Sequence, residues 1–168
     1  MIQVENIFEV VFDGIEAVEG HNPLFFHYGN QKELDAVIQT RQENNNYTYP
    51  LLWYLMPNEL KVKNDFAIGE CSFVIATNTD VNWFNDQRFR KSFNEVLQPN
   101  LDLAIQALRR SGSVSVLYLS DGNEYRYTNF PNYGKPTTFD GGNTAQAINY
   151  WDALKFTVNL QITDGCKC

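Results

Sequence analysis

Sulfur and imidazole are scarce here: 168 residues carry 3 cysteines and 2 histidines. Three cysteines cannot build a disulfide framework. Cys71 lies in an apolar stretch and is expected to be a small core residue. Cys166 and Cys168 form a C-terminal Cys-Lys-Cys with no further metal ligands close by, so they read as a reduced tail. His21 and His27 share one short segment, and no Gly-x-Ser-x-Gly nucleophile motif accompanies them. Gly141-Gly142 lacks the context of a phosphate-cradling loop. Asp80-Val81-Asn82 opens like a calcium loop, but Phe84 and Asn85 occupy the fifth and sixth positions, where an oxygen ligand and a glycine belong. No enzyme activity, cofactor or metal is expected.

Positive charge is short as well. Thirteen basic residues face 20 acidic ones, for a net charge of −7. Such a surface repels phosphate on average, which argues against affinity for a nucleic-acid backbone. It would suit a passage through which DNA must slide without sticking. No apolar run approaches the ~18 residues of a membrane span. The opening Met-Ile-Gln-Val-Glu-Asn has no basic n-region, so no secretory signal and no membrane association are expected.

What is abundant is apolar and aromatic bulk: 43% hydrophobic residues, with 12 Phe, 9 Tyr and 3 Trp. That suffices for one folded domain over residues 1–168, with aromatics left for contact surfaces. Val4, Ile7, Phe8, Val11, Ile15 and Val18 recur at three- and four-residue steps and predict an amphipathic helix, stopped by Gly20 and Pro23. Leu24 to Tyr28 reads as extended. Asn30 and Glu33 form a capping box that starts a short helix at Gln31.

Tyr49–Met56 and Phe66–Thr77 read as strands, the second with Cys71, Phe73 and Ile75 on one face. The longest helical pattern runs from Phe89 to Leu108, and Pro99 predicts a kink, or two helices meeting near Gln98. Val114 to Leu119 and Tyr125 to Tyr127 read as strands joined by an Asp121-Gly122 hairpin turn. A long loop is expected over Asn129–Asn143. Leu154, Phe156, Val158, Leu160 and Ile162 alternate with polar residues, marking a strand with one buried and one wet face. The expected architecture is α+β: an antiparallel sheet of four or five strands with two or three helices packed on one face.

The stretch from Ala76 to Arg90 gathers Trp83, Phe84, Arg88 and Phe89 at the start of the long helix, where Asn85 or Asp86 would cap it. One reading is a helix start stapled to the core by aromatics. The other is a contact surface, since aromatics and arginine anchor interfaces.

Tyr49-Pro50-Leu51-Leu52-Trp53 is followed by Ala76-Thr77-Asn78-Thr79, then Trp83, Asn85 and Gln87-Arg88-Phe89. After these come the helix with Val96-Leu97-Gln98-Pro99 and the closing Asn149-Tyr150-Trp151-Asp152-Ala153-Leu154. In this order the chain resembles neck proteins of tailed bacteriophages. More narrowly, it is similar to tail-terminator-like connector (ring) proteins of phages infecting Bacteroidetes, including the crAss-like group. The long loop at 129–143 departs from a simple terminator.

The resemblance implies a structural virion protein without catalytic residues, forming a homo-oligomeric ring of six or twelve copies between capsid portal and tail. Its partners would be neighbouring portal, neck and tail proteins, with genomic DNA passing through the bore unbound. It would reside in the virion, and in the host cytoplasm during assembly. Under this reading the expected subunit contacts are Trp83, Phe84, Arg88, Tyr127, Phe130, Tyr133 and Phe139. The alternative from another class is a small monomeric module that binds a peptide or ligand with its exposed aromatics.

Overall fold

Two strands of 13 residues form the centre of the sheet, β4 (Phe66–Asn78) and β7 (Trp151–Thr163), paired antiparallel along their whole length. The computed structural model describes residues 2–34, 36–37, 50–56, 58–80, 82–131 and 151–163. Each long strand is flanked on its outer side by two short ones laid end to end. β2 (Leu51–Leu55) and β3 (Lys61–Lys63) line β4, while β5 (Val114–Leu117) and β6 (Tyr125–Phe130) line β7. β1 (Phe25–Gly29) completes a seven-stranded sheet by pairing with β2.

The fold is α+β as expected, but the sheet is larger and mixed. β1 runs parallel to β2, which corrects the all-antiparallel expectation. A parallel pair needs a crossover, and the chain makes it through a helical segment at residues 31–34 and 36–37. The capping box is present: the Asn30 N–H donates to Glu33 Oε2 at 2.7 Å, and the Glu33 N–H donates to Asn30 Oδ1 at 3.0 Å.

The Asp121-Gly122 hairpin is corrected too. β5 and β6 do not pair with each other; both pair with β7 in the same direction. The turn chemistry is real, with Gly122 at φ +84 and the Leu119 N–H donating to the Asn123 carbonyl at 2.7 Å. It serves a jog within one broken strand, because β7 offers a continuous partner on both sides of it. β3 went unread in the sequence. It forms a hairpin with β4 across Asn64-Asp65, with Asn64 at φ 54. Gly69 of β4 lies beneath the chain leading into β3, where a Cβ would meet the Glu59 carbonyl oxygen at 2.6 Å.

The sheet buries apolar side chains on both faces, so the expectation of helices on one face is also corrected. One face carries Leu52, Cys71, Phe73, Ile75 and the even-numbered residues Leu154 to Ile162 of β7. Helix α1 (Val4–Phe12) and the long helix pack on it. The opposite face holds a smaller cluster, in which Leu34 of the crossover segment covers Leu51, Trp53, Val74, Ala76, Trp151 and Ala153.

Helix α1 has only nine residues, ending where Gly14 adopts φ +72, a conformation that costs glycine little. Ile15 and Val18, expected within the helix, lie beyond it. The long helix is unbroken in chain order but changes geometry, and one boundary falls at Gln98, where two helices were expected to meet. It is α-helical over Asn85–Arg88, π-helical over Phe89–Leu97 and α-helical again over Gln98–Arg110. Its inward positions Arg88, Ser92, Val96, Asn100, Ala104 and Leu108 recur every fourth residue. A step of four drifts about 40° per turn around an α-helix. The wider π turn takes up part of that drift and keeps the stripe against the sheet. Pro99 falls just past the switch at Gln98, whose N–H donates to the Phe93 carbonyl, five residues back. Pro99 brings no donor of its own; the neighbouring buried Asn100 donates Nδ2 to the Val96 carbonyl at 2.8 Å.

Cys71 is fully buried beside Tyr54, and burial raises its thiol to about 12 and the Tyr54 phenol further still. Between the ordinary thiol value of 9.0 and about 12, the unfolded chain releases a proton that the folded chain keeps. This stabilisation is therefore complete below pH 9 and fades as pH rises through that window. The urea midpoint should fall from pH 9 upward, and Cys71→Ala should flatten the decline between pH 9 and 10. Identical slopes in the two proteins would contradict this.

Candidate interaction surfaces

The segment between β4 and the long helix is fixed by its own backbone. The Asn82 N–H donates to Asp80 Oδ1 at 2.8 Å, and the Trp83 N–H donates to the Asp80 carbonyl at 3.1 Å, making an Asx turn. Phe84 takes the N-cap position, and Gln87 Oε1 accepts its N–H at 3.2 Å. The expected caps Asn85 and Asp86 are instead the first helical residues, since the Asx turn at Asp80 delivers the chain one residue early.

This geometry sends the gathered side chains in different directions. Phe84 stands 77% exposed, while Phe89 is 40% exposed and stacks on buried Phe93 at 4.7 Å between ring centroids. Trp83 is half-buried, with Lys91 Nζ 4.7 Å from its ring centroid, a cation–π contact. Arg88 turns inward. Its Nε lies 3.3 Å from Oδ1 of Asp152, a fully buried carboxylate on the helix-facing stripe of β7. Arg88 thus directs its charge into the fold and joins helix to sheet.

Tyr127 is 46% exposed on β6, opposite Phe156 of β7. Phe130 is half-buried against the smaller cluster and, with Asn129, belongs to β6, which corrects the start of the expected loop; its residues 132–143 lie outside the described residues. Tyr133 and Phe139 lie outside the described residues, as do Cys166 and Cys168. β6 is further tied across the sheet by Arg126, whose guanidinium meets the Glu70 carboxylate at 2.9 Å.

Two concavities accompany these surfaces. One, of about 600 Å³, opens at the carboxyl end of β1 beside His27, Tyr28, Asn30, Glu33 and Trp53. Its polar groups help hold the local structure: Asn30 and Glu33 cap the crossover helix, and Trp53 Nε1 donates to the Gly29 carbonyl at 3.0 Å. His27 packs edge-on against Trp53 at 5.2 Å.

The other is a groove of about 870 Å³ between α1 and the C-terminal end of the long helix. Ile7, Val10, Val11, Leu103 and Ala107 give it an apolar floor, with Asp13, Glu16 and Arg110 among its polar lining residues. Sequence reading missed this groove. Its signal was Val10, a valine on the wet side of the α1 stripe, which is 77% exposed.

Among the described residues, no group of three or more His, Cys, Asp or Glu side chains gathers as a metal site. No helix among them is long and apolar enough to cross a membrane. No protein-family model matches the sequence, and no curated protein matches it.

Proposed function

We propose that this chain is a structural subunit of a tailed-bacteriophage virion, one copy of a closed ring in the head–tail connector or tail. The observation that carries the reading is the display of Phe84 in water on a rigid helix start, above a core that is already filled. Monomeric proteins scatter apolar residues over their surfaces, but an exposed aromatic whose backbone is tied into a helix start is placed ready for a partner. The order of sequence motifs that resembles the tail-terminator-like ring proteins supports the same reading. So does the sheet order: among the described strands, β1 lies at the end of the sheet and pairs with β2, the position from which strand addition proceeds.

In such a ring the work is geometric. Heterologous contacts between neighbours close the circle. The excess of acid, a net charge of −7, keeps a bore lined by these subunits from holding the phosphates of passing DNA. The α1 groove favours the second reading, a monomeric peptide-binding module, which would show saturable one-to-one binding and no self-assembly. Mass spectrometry of purified, DNA-filled particles tests the virion reading. The chain should be present at a fixed multiple of the portal protein. Finding it only in the soluble lysate would contradict the proposal.

A further inference from the structure

Resting on the ring reading, we propose that the ring closes through one repeated contact: Phe84 of each copy seats in the groove between α1 and the long helix of the next copy. Both surfaces belong to the same rigid element. Phe84 caps the start of the long helix, and Leu103, Ala107 and Arg110 line the groove at its end, roughly 35 Å away. A knob and a groove at opposite ends of one helix cannot satisfy each other within a subunit. They join different surfaces of two copies, a heterologous contact, which makes a ring when the rotation from copy to copy closes.

Chemistry agrees with geometry. The groove's apolar floor includes Val10, 77% exposed, as Phe84 is. Its lining carries the carboxylates of Asp13 and Glu16 beside the single cation Arg110. The first turns of the long helix carry Arg90 and Lys91, with Asp86 the acid among them. Copies with a net charge of −7 repel one another, so association is favoured where local cations meet a neighbour's acids.

The area fits an anchor rather than a whole interface. Phe84, 77% exposed, would bury up to about 150 Å² and the 40%-exposed Phe89 about half as much, against roughly 800 Å² per partner in a stable interface. The remainder falls to the surrounding rim.

The test uses Phe84→Asp and Val10→Asp. Both positions are exposed, so melting temperatures should match the wild type, and mass photometry reads assembly. Wild type should form rings. Each variant alone should lose them, with at least a tenfold drop in assembled mass at equal concentration. A one-to-one mixture should form heterodimers and nothing larger, because the intact knob of Val10→Asp meets the intact groove of Phe84→Asp. Rings that persist in both variants, or a mixture that stays monomeric, overturn this contact and leave the ring reading standing. Rings lost only in Val10→Asp would give the groove to another segment of the neighbouring copy, overturning the pairing. A wild-type chain that stays monomeric at every concentration removes the ring reading and this contact together.

Discussion

Replacing Arg88 by alanine should destabilise the fold by about 3–5 kcal/mol, because it removes the cation beside a carboxylate in the core. Asp152 is fully buried, and Arg88 Nε stands 3.3 Å from its Oδ1. The alternation of β7 leaves no outward option: Asp152 is in phase with Leu154, Phe156 and Val158, which face the helices. Removing the guanidinium takes away the cation 3.3 Å from this carboxylate, at a depth where bulk water does not replace it. For a chain of this size each kcal/mol is about 2–4 °C of melting temperature, so the drop should be roughly 6–20 °C. Asp152→Ala should cost a similar amount. Arg88→Met combined with Asp152→Leu should recover most of the loss, since an apolar pair of similar volume often replaces a buried ion pair without penalty. Thermal unfolding followed by circular dichroism checks this; a drop under about 3 °C for Arg88→Ala would mean that the pair contributes little.

Phe73→Ala should cost about 3–5 kcal/mol by opening a cavity at the busiest point of the core. The Phe73 ring meets Phe8 and Phe12 of α1 at 5.2 and 5.7 Å, Tyr54 of β2 at 5.3 Å and Phe156 of β7 at 5.1 Å. The loss should not spread evenly. β4 and β7 keep a ladder of 13 residue pairs, whereas α1 is held to the sheet by Val4, Phe8 and Phe12. Hydrogen exchange should therefore quicken across Val4–Phe12 before it quickens in the central strands. Uniform loss of protection would show that α1 and the sheet open as one unit. Against the 5–15 kcal/mol that usually holds a domain together, either substitution takes a large share.

Local signals in the chain were readable and pairing partners were not. The Asn30–Glu33 cap needs only four residues, and it stands as read. The strand at Leu154–Ile162 stands, but its expected wet face does not: no residue of β7 is exposed, and Ala153 and Thr157 on that side are buried. Asp121-Gly122 was read correctly as a turn and wrongly as a hairpin, because only distant β7 decides that β5 and β6 follow one another along it. The parallel pairing of β1 with β2 is equally non-local. Pro99 marked the junction near Gln98, where the helix changes type, but not the π-helical stretch that precedes it.

At the candidate surfaces, aromatic content drew attention to Trp83 and Phe84, but their neighbour Arg88 faces the core. The clue lay at Asp152, a carboxylate in the phase of an apolar stripe, which requires a cation across from it. The groove was hidden because a single exposed valine in a short helix resembles ordinary surface noise until the long helix is laid beside it.

Electron microscopy of the purified wild-type chain, without any other virion component, asks most directly whether this polypeptide works by closing on itself. Averaged particles should be rings of one fixed copy number around an open hole. Isolated subunits at every concentration, or open filaments of indefinite length, would contradict it.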